Sequence, residues 1–218
     1  MKPSIHPEIL YDQLQVLFQL LSKCDLPFFS EFRSKWDPLL KTNIINPIVS
    51  TYRCVNNGQV FPQKIHTNSG LDFVLHFDIT HLREKYGKEQ KIGNLNNFMR
   101  TSLTVLPNGH LTCNESPCLY TYYPPQERQP YYKDDGIIVA MFPTIPKNFF
   151  IVDGSHRVSC FVDSGSVNIP ALLIHPEAVP AYLISSAEMV TYLFLYDVNL
   201  INSAIKTNTQ NSIASVFN

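Results

Sequence analysis

Between Phe149 and Gly165 the chain reads FFIVDGSHRVSCFVDSG, and no other stretch constrains the fold as much. Four apolar residues, Phe149 to Val152, run straight into Asp153-Gly154. Val158, Phe161 and Val162 then recur at helical spacing, and Gly165 stands where a helix stops. A strand thus becomes a helix with only a tight turn between. Around it, Ile137 to Phe142 reads as a buried-type strand and Ile169 to Ile174 as another apolar one.

The junction has chemistry of its own. Gly154 lets backbone approach without a side chain in the way. The first helical turn leaves amide N–H groups unsatisfied, and the helix dipole adds positive potential there. That is a ready anion site. Ser155 adds a hydroxyl donor, and His156 and Arg157 add donors suited to phosphate oxygens. Three roles fit Asp153: orienting His156, binding a magnesium ion, or acting as a general base. A plainer reading is also open. Asp-Gly is a common turn, serine caps helices, and an arginine can simply be solvated.

Composition bounds the choice. The chain has 218 residues, 44% hydrophobic and 16% charged, which suits one sizeable core or a domain with an appendage. A net charge of -1 argues against a broad grip on nucleic acid, though a local basic groove stays open. The five cysteines, Cys24, Cys54, Cys113, Cys118 and Cys160, lack zinc spacing and read as free thiols in a reducing cytosol. No residue set is assigned to a metal. With no signal peptide and with Glu188 and Asp197 interrupting the apolar run 181–200, a cytoplasmic protein without a membrane span is expected.

Organisation follows from periodicity. Pro7 suits the start of a helix carrying Ile9, Leu10, Leu14, Leu17, Phe18 and Leu21 and stopping before Pro27, and a second short helix holds Phe28, Phe29, Phe32 and Trp36 and ends at the Asp37-Pro38 break. Residues 1–45 are a helical lead-in whose apolar face needs a partner. That partner is either the main domain or another chain, so the N-terminal helix is a candidate homodimer surface. Residues 46–205 form the main domain with C-terminal helices, and 206–218 a flexible tail.

Asn56-Asn57-Gly58 predicts a hairpin joining 48–54 to 59–65, with Pro62 on an edge strand. Asp72 to Asp78 alternates: Phe73, Leu75 and Phe77 share one face, and His76 and Asp78 read as an exposed edge pair. Thr80 caps a short helix with Arg83 to Tyr86 in its body, and Leu95 to Met99 reads as a helical turn. Pro107-Asn108-Gly109 predicts a second hairpin. Glu115 to Asp135 reads as a long loop. Its Tyr120, Tyr122, Tyr123, Tyr131 and Tyr132 are a candidate stacking surface, with Arg128 and Lys133 near an anion. Ser185 and Glu188 make a capping box for a helix through about Tyr196, with a last piece to Ile205.

The run FFIVDGSHRVSCFVDSGSVNIPALLI resembles the signature of the ParB/sulfiredoxin superfamily: strand, (D)G-x-HR, helix, glycine, then an Ile-Pro strand. FVLHFDITHL, Phe73 to Leu82, is similar to the opening of these domains. The resemblance implies an α+β domain with a mixed sheet and flanking helices over roughly residues 70 to 176, the helical ends being additions. It implies phosphate contacts from Gly154, His156 and Arg157, with Ser155 beside them. Ser155 stands where sulfiredoxins carry their reactive cysteine, which argues against that thiol chemistry. A partition protein is disfavoured, since a helix-turn-helix domain has no room after Ile174.

The implied function is nucleotide binding, with ATP or another nucleotide held at DGSHR, with or without Mg2+. Phosphoryl transfer or nucleotide hydrolysis would follow, using Asp153 and His156 as catalytic groups and a small molecule or protein as acceptor. Two alternatives stay open: a non-catalytic regulatory or interaction module of the same fold, and a nuclease-like DNA-processing protein.

Overall fold

The structure, a computed structural model, describes residues 6–23, 29–41, 58–67, 69–107, 110–114, 116–121, 136–144 and 148–207. In chain order the elements are α1 (Pro7–Ser22), α2 (Phe29–Lys41), β1 (Val60–His66), β2 (Asp72–Asp78), α3 (Ile79–Ile92), β3 (Phe98–Val105), β4 (His110–Cys113) and β5 (Ser116–Thr121). There follow β6 (Ile137–Met141), β7 (Phe149–Asp153), α4 (Ser155–Asp163), β8 (Asn168–Ile174), a 3-10 turn (Pro176–Tyr182) and α5 (Ser186–Thr207). The fold is α+β, with a curled mixed sheet and flanking helices. Two compact units divide it: Met1–Asp78 with Leu183–Asn218, and Ile79–Tyr182.

In the first unit the apolar stripe of α1 finds its partners in the same chain. Leu10, Leu14, Leu17 and Phe18 are buried. Phe18 lies 6.0 Å from Phe32 of α2, and Phe194 of α5 lies 5.4 Å from Phe32 and 5.2 Å from Trp36, centroid to centroid. Burying each such ring is worth roughly 2–3 kcal/mol. Trp36 Nε1 donates to Asp197 Oδ2 at 3.0 Å and Lys35 Nζ at 2.8 Å, which ties α2 to α5. The helices expected as a lead-in over 1–45 therefore share a unit with β1, β2 and α5. Ile9 is exposed rather than on the buried stripe, and α2 does not end at Asp37-Pro38 but carries Pro38 within it and runs to Lys41.

The partner of β1 is β2, paired antiparallel from Val60↔Asp78 to His66↔Asp72. The turn between them closes through Thr67 and uses Gly70 at φ +79. The strand expected over 48–54 lies outside the described residues. Phe73, Leu75 and Phe77 share the buried face as expected, but His76 and Asp78 are not an exposed pair. Asp78 is buried, and His76 is held by Glu188 of α5, whose Oε1 accepts the His76 N–H at 3.0 Å and lies 2.7 Å from Nδ1.

Glu188 also completes the expected capping box. Its N–H donates to Ser185 Oγ at 3.2 Å, and its Oε2 accepts the Ser185 N–H at 3.1 Å. One fully buried carboxylate thus caps α5 and anchors β2. Contrary to the expected two pieces, α5 is a single helix to Thr207. No glycine or proline interrupts it, and Tyr192, Phe194, Leu195 and Ile201 are buried along its length.

The second unit is built on a six-stranded sheet ordered β5-β4-β3-β8-β6-β7. Only β6 and β8 run parallel. The outermost strands β5 and β7 approach each other, so the sheet curls. Its core holds Leu103, Val139, Ile151, Ile169 and Leu173, with Val158, Phe161 and Val162 of α4 packed on it. Every residue of β6 is buried, as its unbroken apolar run requires. The expected 102–113 hairpin is β3–β4. Part of the expected loop, Ser116–Thr121, is strand β5, and 122–135 lie outside the described residues.

Two expectations beside the sheet change. The helix α3 is not a short one capped by Thr80. It starts directly after β2 and runs to Ile92 before Gly93, at φ +74, ends it. The expected helical turn at Leu95 to Met99 is instead the entry to β3. Glu89 of α3 accepts the Asn97 backbone N–H at 3.0 Å and the Asn97 side-chain amide, which turns the chain into an extended path.

Candidate functional site

The end of β7 lies beside the start of β6, because the two strands are antiparallel and Asp153 pairs with Ile138 across a bulge. Gly154 then takes φ +101 and ψ +19, a left-handed conformation that favours glycine. α4 begins at once. Its N-cap residue, Gly154, has no side chain with which to cap it, and no acidic residue sits in its first turn. Its other end is the expected glycine stop: Gly165 N–H donates to Val162 O and Ser166 N–H to Phe161 O, both at 3.0 Å.

Asp153 is where sequence expectation and geometry diverge most. Arg83, from the second turn of α3, forks onto its carboxylate, Nε to Oδ2 at 2.8 Å and Nη2 to Oδ1 at 2.9 Å. Arg157, four residues along α4, folds back to it. Its Nη2 donates to Asp153 Oδ2 and to the Gly136 carbonyl, each at 3.1 Å. Asp153 therefore orients two arginines rather than His156. Two guanidiniums share one carboxylate, so the cluster carries surplus positive charge.

The space over Gly154 is filled by the same arginine. A Cβ there would lie 2.9 Å from Arg157 Nη2 and 3.0 Å from Ile137 Cγ1. Two buried donors at this end have no partner among the described residues: His156 Nδ1 and Arg157 Nε. Ser155 is the first residue of α4, and Ser159 Oγ lies 3.4 Å from its carbonyl oxygen. The structure thus brings Asp153, Gly154, Ser155, His156 and Arg157 to one end of the sheet and adds Arg83. Reading the sequence placed Arg83 only in a helix body. Its one signal is its position, five residues after β2, and that spacing names no partner.

The remaining candidates lie apart from this cluster or outside the described residues. Tyr122, Tyr123, Arg128, Tyr131, Tyr132 and Lys133 belong to the latter. His76 serves Glu188, and His81 stacks against Tyr182 at 5.7 Å. Cys113 and Cys160 are free, the first buried and the second exposed. Among the described residues no group of three His, Cys, Asp or Glu side chains could hold a metal ion, and no helix is long and apolar enough to cross a membrane. No protein-family model, curated protein or solved structure matches the chain.

Proposed function

We propose that this chain is a nucleotide-binding protein of ParB/sulfiredoxin-like fold that holds phosphates at the DGSHR turn. The observation that carries the reading is the N-terminus of α4. Its N-cap residue is Gly154, which has no side chain to cap it, and two arginines sharing one carboxylate flank it. Helix amides, His156 and surplus guanidinium charge are the components that phosphate positioning needs. Gly154, Ser155, His156 and Arg157 form the turn, with ATP or another nucleotide as ligand and Mg2+ arriving with it.

Phosphoryl transfer or hydrolysis at this turn would rely on positioning and charge neutralisation. His156, whose Nδ1 has no partner among the described residues, is the group left to move a proton. One observation favours a second reading, a module that binds the nucleotide as a signal without turning it over. Asp153 is engaged by two arginines and is not free as base or metal ligand.

The test is a thermal-shift series with ATP, ADP, CTP and GTP, with and without magnesium, followed by a turnover assay. Stabilisation by a nucleotide that weakens in His156→Ala is the expected result. Turnover in the same preparation selects the enzyme, and binding without turnover selects the module. No shift with any nucleotide, or an equal shift in both proteins, overturns the reading.

A further inference from the structure

We infer that Arg83 is the arginine that meets the bound anion, that Asp153 is its positioning residue, and that Arg157 braces the turn from behind. This deepens the phosphate-binding reading above and rests on it.

Burial separates the three roles. Side-chain exposure is 10% for Asp153, 12% for Arg157 and 40% for Arg83. Arg157 is the inner member. Its Nη2 is divided between the Gly136 carbonyl and Asp153, and its guanidinium fills the space over Gly154. A group used in this way holds β6, β7 and α4 together and has little surface left for a ligand.

Arg83 is the outer member. Its fork onto Asp153 engages Nε and Nη2, and its Nη1 has no partner among the described residues. A guanidinium is planar, so fixing two nitrogens fixes the direction of the third. Asp153 therefore aims a cationic edge instead of supplying a base. The ligand class is an oxyanion such as a phosphoryl group, which can take paired N–H donors from a guanidinium.

The carboxylate gives the idea a sharp test, because two accounts of it predict opposite signs. If Asp153 were only a negative charge near the anion, removing that charge would strengthen ATP binding. If it aims Arg83, removing it weakens binding. ATP affinity is measured by titration calorimetry at two salt concentrations for the full chain and for Arg83→Gln, Asp153→Asn and Arg157→Lys, each with its melting temperature.

Arg83→Gln is expected to melt close to the unmodified protein, to bind ATP roughly tenfold more weakly and to lose part of the salt dependence. Asp153→Asn also binds more weakly. Arg157→Lys shows its main effect in melting temperature. If Arg83→Gln does not fold, Arg83→Lys replaces it: the charge stays, the fork is lost, and the affinity is again expected to fall. Unmodified protein that binds no ATP overturns both the reading and the inference. Unmodified protein that binds ATP, with Arg83→Gln binding it equally or Asp153→Asn binding it more tightly, overturns the inference alone.

Discussion

Glu188 in the first unit is a buried carboxylate and Asp153 in the second a partly buried one, and they are satisfied in different ways. Glu188 is fully buried, and its partners are the His76 N–H and ring and the Ser185 N–H. Each donor belongs to a segment that the carboxylate joins. Asp153 takes its donors from two guanidiniums, one of them 40% exposed. A carboxylate satisfied by backbone amides and a ring is a structural joint. One satisfied by guanidiniums here leaves the unused edge of the outer one, Arg83, toward solvent.

The contrast can be broken by substitution. Glu188→Ala strands two backbone N–H groups and a ring in a dry place and should cost roughly 3–5 kcal/mol, read from denaturant unfolding. A loss below about 1 kcal/mol would put Glu188 in the class of surface ion pairs. Gly154→Ala should come next, at about 2–3 kcal/mol, since it strains φ +101 and drives a methyl into the Arg157 guanidinium. The same unfolding curves measure it.

The two arginines should then separate. Arg157→Ala is expected to remove roughly 2 kcal/mol, and Arg83→Ala under about 1 kcal/mol, because solvent screens the exposed partner. Equal losses would erase the division between brace and outer edge.

The smallest effect concerns a third carboxylate, Glu89. Burial pushes its carboxyl up, but the Asn97 backbone and side-chain donors, the Asn96 backbone and the charge of Lys85 together outweigh that and hold it below the ordinary value of 4.5. Since the folded-state value is the lower one, the stabilisation is present above about pH 4.5 and fades as pH falls through the folded value. Glu89→Gln should flatten that part of an acid unfolding curve and leave neutral stability only modestly lower.

How far the sequence was legible depends on the range of the interaction. The β7-turn-α4 unit could be read because Gly154, Val158, Phe161 and Gly165 act on near neighbours. The Ser185–Glu188 box could be read for the same reason. What could not be read was long-range. Nothing near Asp153 names Arg83, and nothing near His76 names Glu188. An alternating strand shows which residues share a face but not whether the other face is also covered, so His76 and Asp78 looked exposed. The hairpin expected at Asn56-Asn57-Gly58 had a fair local signal, and its first strand lies outside the described residues. The observed partner of β1 is the backbone edge of β2, reached through the turn at Gly70.

The first unit is also split by the second along the chain. Phe32 and Trp36 pack against Phe194, which follows Trp36 by 158 residues. A ribosome adding about 5–20 residues per second would leave those rings without their partner for roughly 8–30 seconds. During that interval the unit Ile79–Tyr182 is already complete in sequence. Vectorial synthesis thus favours a fixed order, with the inserted sheet closing before the helices that precede it can.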